Sequence, residues 1–162
     1  MASTAAWLGR PSRREKSSAP FFRARADAAA DLLSKVVILE KTDSVKSLEL
    51  PCFKAVLLYA GPDAAARLLA DMLEAAAALD CYNKVVLHVD GETVDIVLAA
   101  GDRLLLCNSY PAADEVTAQY YLFAAIRQFQ INPEVTTVHF FGEAGDGIKG
   151  DLFRHFASVE ML

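Results

Sequence analysis

Residues 84–142 read KVVLHVDGETVDIVLAAGDRLLLCNSYPAADEVTAQYYLFAAIRQFQINPEVTTVHFFG, and the patterns in this segment determine the architecture. Apolar residues first alternate with a period of two, as they do in a strand. Asp90-Gly91 is a hairpin signal because glycine tolerates the positive φ of a tight turn. Gly101-Asp102 marks a second turn. The segment therefore predicts three antiparallel strands, Lys84–Val89, Thr93–Ala99 and Arg103–Asn108.

A long helix, a fourth strand and a glycine-rich loop follow these strands. Asp114 is a suitable N-cap for the helix, and Glu115 stands in the first turn, where the helix dipole favours negative charge. Asn132-Pro133 breaks the helix. We expect it to bury Val116, Tyr120, Phe123, Ala124 and Phe129, or their helical neighbours. The predicted elements are a helix at Glu115–Gln130, a strand at Thr137–Phe141, a loop at Gly142–Gly147 and a helix at about Lys149–Ala157.

The residues before this segment predict a shorter series of elements. The alanine-rich part favours a helix, and the runs of β-branched and apolar residues favour strands. Pro62 suits the first turn of a helix. The predicted elements are a helix at Ala24–Ser34, a strand at Lys35–Glu40, a turn at Thr42–Ser47, a strand at Leu50–Ala60 and a helix from Asp63 to about Leu79.

Composition limits the class of protein. The 162 residues are enough for one domain with a real core, and the net charge of −5 argues against nucleic acid as a partner. No apolar run approaches the roughly 20 residues that a membrane span needs. The three cysteines, Cys52, Cys81 and Cys107, form no C-x-x-C pair. We expect them to be buried free thiols in a reducing compartment.

Residues 1–25 differ from the rest of the chain. Six basic residues stand there against one acidic residue, Glu15, among serines, alanines and prolines. Such an arginine-rich, acid-poor leader is typical of an organelle transit peptide, and a disordered basic tail is the preferred interpretation. The predicted organisation is a tail at 1–25 and a single α/β domain at 26–162. The predicted location is the cytoplasm, with organelle import as the alternative.

Three segments carry a resemblance to a known family. KVVLHVDGETVDIVLAAGDRLLLCNSY (84–110) has a histidine late in its first strand and the pattern G-x-x-L-L-x-x-N-S at the end of its third. YYLFAAIRQFQINPEVTTVHFFGE (120–143) has the helix exit Q-F-x-I-N-P-E, and LPCFKAVLLYAGP (50–62) fits upstream. From about Leu50 onward the chain resembles an uncharacterised bacterial domain family with a degenerate actin-like ATPase fold, in the actin, Hsp70 and hexokinase superfamily.

The resemblance implies both a fold and a ligand site. The fold is α/β, a ribonuclease H-like or actin-like ATPase lobe with a mixed sheet of β-β-β-α-β order and flanking helices. In the superfamily, a hairpin meets the phosphates and a loop after a strand meets the adenosine, and the implied cofactor is ATP with Mg²⁺. An ordinary hairpin and a plain strand-to-helix connection are the competing interpretations. The matching residues here are Asp90, Gly91 and Thr93 in the hairpin, and Gly142, Gly145 and Gly147 in the loop.

Two departures from the family pattern weaken the case for catalysis. The segment before Leu50 is too short for the preceding lobe that normally completes the cleft, and the segment Asp90-Gly91-Glu92-Thr93 alone stands for the phosphate hairpin. We therefore expect a non-catalytic interaction or assembly module that binds a protein partner or associates with itself. The alternative is a nucleotide-binding, vestigial ATPase. No catalytic or metal residue is predicted, and the histidines, His88, His139 and His155, have no metal-ligand spacing.

Two further groups of residues have structural interpretations. Asp95 lies in mid-strand, so either its face of the sheet is wet or it pairs with a residue such as Arg103 on the adjacent strand. Asp114 and Glu115 are explained better by helix capping than by acid–base chemistry. The aromatic cluster of Tyr120, Tyr121 and Phe123 indicates a helix packed on a sheet rather than a surface that stacks on bases.

Overall fold

The computed structural model describes residues 4–7, 45–60 and 63–162, and for residues 4–7 it describes the backbone alone. The strands are β1 (Thr4–Trp7), β2 (Val45–Leu50), β3 (Ala55–Ala60), β4 (Asn83–Val89), β5 (Thr93–Ala100), β6 (Arg103–Pro111), β7 (Thr137–Phe140) and β8 (Ser158–Met161). The helices are α1 (Asp63–Ala78), α2 (Glu115–Gln128) and α3 (Asp146–Phe153). The helix predicted at Ala24–Ser34 and the strand predicted at Lys35–Glu40 lie outside the described residues.

The larger sheet has the strand order β6, β5, β4, β7, β8. Its first three strands pair antiparallel, while β4 pairs in parallel with β7, and β7 with β8. A parallel pair needs a crossover connection, and α2 supplies it between β6 and β7. The predicted β-β-β-α-β order and the mixed sheet are therefore confirmed.

Both predicted turns between the first three strands are confirmed. Gly91 and Gly101 have φ values of 89° and 56°, a backbone region that glycine adopts without the penalty of a Cβ. β6 continues to Pro111, because Ser109 and Tyr110 still pair with β5. The strand predicted at Arg103–Asn108 therefore ends too early.

A second sheet has the order β1, β3, β2, with antiparallel pairs throughout. The turn predicted at Thr42–Ser47 is wrong from Val45 onward, since β2 pairs with β3 along its whole length. The single strand predicted at Leu50–Ala60 is also wrong in its first half. Proline lacks the N–H that a strand ladder requires, and Pro51–Phe53 form a 3-10 turn followed by Lys54 at φ 50°. This turn closes a hairpin.

The larger sheet is covered on both faces. Val85 and Ile96 pack with α2 and α3 on one face, and Val86 and Val97 pack with α1 and the second sheet on the other. Alternate residues of a strand point to opposite faces, so β4 and β5 need apolar side chains at nearly every position. This burial explains their almost unbroken apolar sequences.

α2 begins where the sequence predicts. The side chain of Asp114 accepts a hydrogen bond from the Thr117 N–H at 2.7 Å, which confirms it as the N-cap. The buried residues are the helical neighbours of the expected set, while Val116 and Tyr120 are 76% and 68% exposed. A tyrosine on the buried face would need a partner for its hydroxyl, and small residues let the helix approach the sheet. The buried residues are Ala118, Leu122, Ala125 and Ile126.

The C-terminal part differs from the prediction in two ways. α3 begins at Asp146, before the predicted Lys149, and ends at Phe153, so Gly147 lies in the first turn of the helix and not in the predicted loop. The last residues form β8, which pairs in parallel with β7 from Ser158 to Met161. Its sequence, SVEM, has one β-branched residue and so carries a weak strand signal.

The cysteines are not all buried. Cys107 is buried as expected, but Cys52 and Cys81 are exposed, so the expectation is wrong for two of the three. Cys52 lies in the 3-10 turn, where the chain leaves the sheet. Within the three described ranges, no helix is long and apolar enough to cross a membrane.

Candidate functional site

The ends of β4 and β7 bring the two predicted loops to one edge of the larger sheet. Parallel strands present their carboxyl ends at the same edge. The Phe141 N–H donates to the Leu87 carbonyl at 2.8 Å, and a Cβ added to Gly142 would lie 3.6 Å from the Cδ2 of His88. The Gly142 loop therefore starts beside the strand end that leads into the Asp90 hairpin.

The Asp90 carboxylate is occupied by its own turn. One oxygen accepts hydrogen bonds from the N–H groups of Glu92 and Thr93 at 2.9 and 2.7 Å. The other accepts from the Thr93 hydroxyl at 3.3 Å. Burial opposes the charged form, but the hydrogen bonds from Thr93 and Glu92 hold the pKa of Asp90 below its usual value. Asp90 and Thr93 are therefore hydrogen-bonded to each other, and Gly91 between them adopts the positive φ of the turn.

Glu115 reaches the N-terminal end of α3 from the start of α2. A Cβ at Gly147 would lie 2.6 Å from its Oε2, and a Cβ at Gly145 would overlap its Oε1. Glycine at these two positions therefore leaves room for the carboxylate. Negative charge is favourable there because a helix N-terminus carries partial positive charge. A bound anion at this helix end would compete with Glu115.

A buried polar cluster lies on the same sheet, near the same edge. Asp95 is 4% exposed. Its carboxylate accepts a hydrogen bond from the Ser109 hydroxyl and lies 3.0 Å from His88 Nδ1. Arg103, the partner suggested by the sequence, is exposed and makes no ion pair with Asp95 within the described residues. That suggestion is wrong, because pairing across the hairpin puts His88 directly opposite Asp95.

This cluster does not have the geometry of a nucleophile with its base. In a serine–histidine–aspartate triad, the histidine stands between the other two and takes the proton of the serine. Here Asp95 is in the middle, and the hydroxyl of Ser109 donates to the carboxylate instead of to His88. The arrangement links three strands, β4, β5 and β6, and does not activate Ser109 as a nucleophile.

The cluster favours a protonated His88. The hydrogen bond to Asp95 raises the pKa of His88 against the opposing effect of burial, with a further contribution from the charges of Asp95 and Asp90. At the lower end of the pH range in which histidine titrates, His88 is protonated and its contact with Asp95 is a charge-assisted hydrogen bond.

His139 is a buried histidine, whereas His88 is partly exposed. It is 5% exposed, its Nδ1 has no hydrogen-bond partner within the described residues, and its Nε2 lies 3.7 Å from a Glu160 oxygen. In the part of the chain that the structure describes, no three histidine, cysteine or acidic side chains gather in a way that could hold a metal ion. Two groups, one of them exposed, are too few for a structural metal site.

The outer face of α2 presents apolar surface. We call its residues the α2 stripe: Val116, Tyr120, Phe123, Ala124 and Arg127. All except the half-buried Phe123 are exposed. An open groove of about 740 Å³ runs along it, lined by Tyr120, Phe123, Ala124, Arg127 and Gln128.

The aromatic rings of the α2 stripe are held in place by neighbours. Tyr120 makes an edge contact with Tyr121 at 5.5 Å between ring centroids, and Tyr121 in turn stacks on Tyr110 at 4.5 Å. Phe123 stacks on Phe156 at 5.7 Å and meets His155 edge-on at 5.3 Å. Rings already ordered lose little conformational entropy when a partner covers them.

The sequence matches the model of a protein family. A family model described as "Protein of unknown function (DUF3822)" matches residues 64–157, more than half of the chain. The chain belongs to this family. The matched region of DUF3822 runs from α1 through α3, so it contains the α2 stripe, the polar cluster and both loops.

A solved structure relates this DUF3822 chain to a known fold. The chain is similar to a protein from Bacteroides thetaiotaomicron VPI-5482 described as having an actin-like ATPase fold and unknown function, with a TM-score of 0.68 at 17% identity. The match covers 84% of this chain and 60% of the other. The predicted resemblance and the actin-like ATPase fold are confirmed. No curated protein matches the sequence significantly.

Proposed function

We propose that this chain is a non-catalytic interaction module that binds a protein through the α2 stripe. The exposure of Val116 and Tyr120, at 76% and 68%, is the observation that carries the proposal. Single exposed apolar residues are common, but here they lie together along one helix beside an open groove. Tyrosine and arginine, both present in the stripe, are enriched at the centres of protein interfaces.

The loop edge supports the same proposal. A phosphate site needs donors and positive charge that are free to meet the ligand. Asp90 is held by Thr93 and Glu92, and Glu115 stands at the helix end where an anion would bind. His88, the nearby cation, is paired with Asp95. The polar and charged groups at this edge are therefore largely paired with side chains of the same chain.

Binding of ATP with Mg²⁺ at this edge is the second candidate function. The parallel pairing of β4 and β7 favours it, because the pairing places the Asp90 hairpin beside the Gly142 loop. The proposed contacts are Asp90, Gly91, Thr93, Gly142, Gly145 and Gly147. A nucleotide at 100 times its Kd raises the free energy of unfolding by about 2.7 kcal/mol. A rise in Tm with millimolar Mg-ATP would support this candidate, and an unchanged Tm would reject it.

Photocrosslinking tests the interaction proposal. A benzophenone amino acid replaces Tyr120 in the full chain, and a matched control replaces Tyr82, which is 72% exposed and lies beside the Gly101 turn. We expect protein adducts from position 120, in a lysate of the cells that produce the protein, and few from position 82. Equal yields from the two positions would contradict the proposal.

Location in the cytoplasm, or import into an organelle, stays a prediction from sequence.

A further inference from the structure

We propose that the partner of the α2 stripe is a second copy of this chain, packed so that two α2 helices run antiparallel across a twofold axis. This inference rests on the proposed function, because it names the partner of the same surface. It requires that the stripe match itself when reversed, in both shape and charge. Three properties of α2 meet this requirement.

The first property is the spacing of the stripe. Val116, Tyr120, Phe123 and Arg127 follow one another at steps of four, three and four residues. These steps are the repeat of a coiled-coil seam, in which side chains of one helix fill the holes of its partner. The inner face of α2 packs on the sheet through other residues. Val116, Tyr120 and Arg127 are exposed and Phe123 is half-buried, so the seam presents its surface to a second helix at the shallow crossing angle typical of such pairs.

The second property is self-complementarity of the layers. When the helix is reversed about a point between Tyr120 and Phe123, each of these rings faces the other ring of the second copy. Val116 of one copy then faces the stem of Arg127 of the other. Within one helix these two positions lie about 16 Å apart, at a rise of about 1.5 Å per residue. Ala124 beside the seam leaves the groove into which the Tyr120 ring of the second copy fits.

The third property is charge. Arg127 is exposed at the C-terminal end of α2 and makes no ion pair within the described residues. The N-terminal end carries Asp114, which caps α2, and Glu115, which reaches the end of α3, and both residues are exposed. Antiparallel packing brings the guanidinium of each copy beside the carboxylates of the other, twice per dimer. Parallel packing would place like charges together, so the charges select one orientation.

Charge reversal followed by mixing tests this geometry. Sedimentation velocity on the full chain, between about 1 and 100 μM, spans the range of weak dimers. We expect a dimer from the wild type. Glu115→Arg alone places two positive charges opposite each other at each end of the seam, and Arg127→Glu alone places two negative charges there. Each variant should therefore raise the dimer Kd roughly tenfold or more.

An equimolar mixture of the two variants restores opposite charges at both ends of the seam. At one end, position 115 of the first variant is now positive and faces position 127 of the second variant, which is now negative. At the other end, the unchanged Arg127 of the first variant faces the unchanged Glu115 of the second. We expect this mixture to regain the dimer. Any weakening of α2, and the loss of the contact between Glu115 and the end of α3, are present in the mixture as well as in the variants, so regained association cannot come from refolding. Circular dichroism shows that each variant is folded.

Truncation of the central ring gives an independent measurement. Tyr120→Ser should raise the dimer Kd roughly a hundredfold, as expected for two central interface positions, while Tyr82→Ser leaves it unchanged. A wild type that is monomeric at 100 μM, or a mixture that stays monomeric, overturns the twofold pairing. Crosslinks from position 120 to a different polypeptide overturn the pairing and leave the proposed function standing, whereas absence of any crosslink removes both.

Discussion

Replacing Asp95 by alanine should destabilise the protein more than any other single change in the polar cluster. Asp95 is almost completely buried and joins His88 on β4 to Ser109 on β6. The alanine variant removes the acceptor from both partners, which are half-buried. Leaving such groups unpaired costs more than the net strength of the bonds that are lost.

The size of the effect follows from the two contacts. Both contacts involve the ionised Asp95 carboxylate, so the contact to His88 and the contact to the Ser109 hydroxyl are each worth about 1.5–3 kcal/mol. We expect Asp95→Ala to lower the free energy of unfolding by about 3 kcal/mol near pH 6, or roughly 6–12 °C in Tm for a chain of this size. Ser109→Ala is the matched control and should cost about 1.5 kcal/mol, roughly half as much, because Asp95 keeps His88.

Urea unfolding followed by circular dichroism measures these differences. A double-mutant cycle between His88→Ala and Asp95→Ala should give a coupling free energy of about 1.5–3 kcal/mol near pH 6. A coupling free energy under about 0.5 kcal/mol, or equal losses in Asp95→Ala and Ser109→Ala, would refute the assignment of a buried charge-assisted pair.

Three further predictions concern other parts of the structure. His88→Gln should cost stability in the acid range. The pKa of His88 is raised in the folded state, so its contribution is complete below about pH 6.5 and is lost as the pH rises through the folded value. Urea midpoints near pH 5.5 and 9 should therefore differ in the size of the loss, and an equal loss at both would contradict the pair. Gly145→Ala should cost about 0.3–1 kcal/mol by pushing a flexible carboxylate from the helix end. The same substitution in a Glu115→Ala background should cost less, and an equal cost would contradict the contact. Burial raises the pKa of Cys107 to about 12, so Ellman's reagent should label Cys52 and Cys81 in the folded protein and Cys107 after unfolding. Fast labelling of all three would contradict the burial of Cys107.

The sequence predicted the elements with strong local signals. Asp90-Gly91 and Gly101-Asp102 carry the turn chemistry of hairpins, and the strands they join are long and apolar. Asp114 has the residue type and position of an N-cap, and its side chain makes that bond. Where turn, cap and periodicity agree, little remains for tertiary structure to decide.

Elements with weak local signals were missed. β2 and β8 depend on their neighbours, since β3 and β7 supply the hydrogen bonds that hold them. The buried face of α2 also depended on tertiary packing, because two sets of residues were apolar enough to face the sheet. The sheet selected the set with the smaller side chains, and the larger ones became the exposed stripe.

The candidate site combines a contact that the register of one hairpin creates with a contact between distant parts of the chain. The Asp90-Gly91 turn determines the register of its hairpin, and that register puts His88 opposite Asp95. The sequence suggested Arg103 instead, because strand alternation gives the face on which Asp95 lies but not the residue that stands opposite it. The contact between Glu115 and the glycines of the Gly142–Gly147 loop has no such local signal, because it joins two helix ends that are distant in the sequence.

Hydrogen–deuterium exchange of the full chain tests most directly whether the α2 stripe is the working surface. The exchange of each peptide is compared at about 1 and 100 μM protein, across the range of weak dimers, with and without millimolar Mg-ATP. We predict that slower exchange at high concentration is confined to peptides covering Glu115–Gln128, and that Mg-ATP changes nothing. Unchanged exchange in α2, together with protection by Mg-ATP of the Asp90 hairpin and the Gly142–Gly147 loop, would contradict the account.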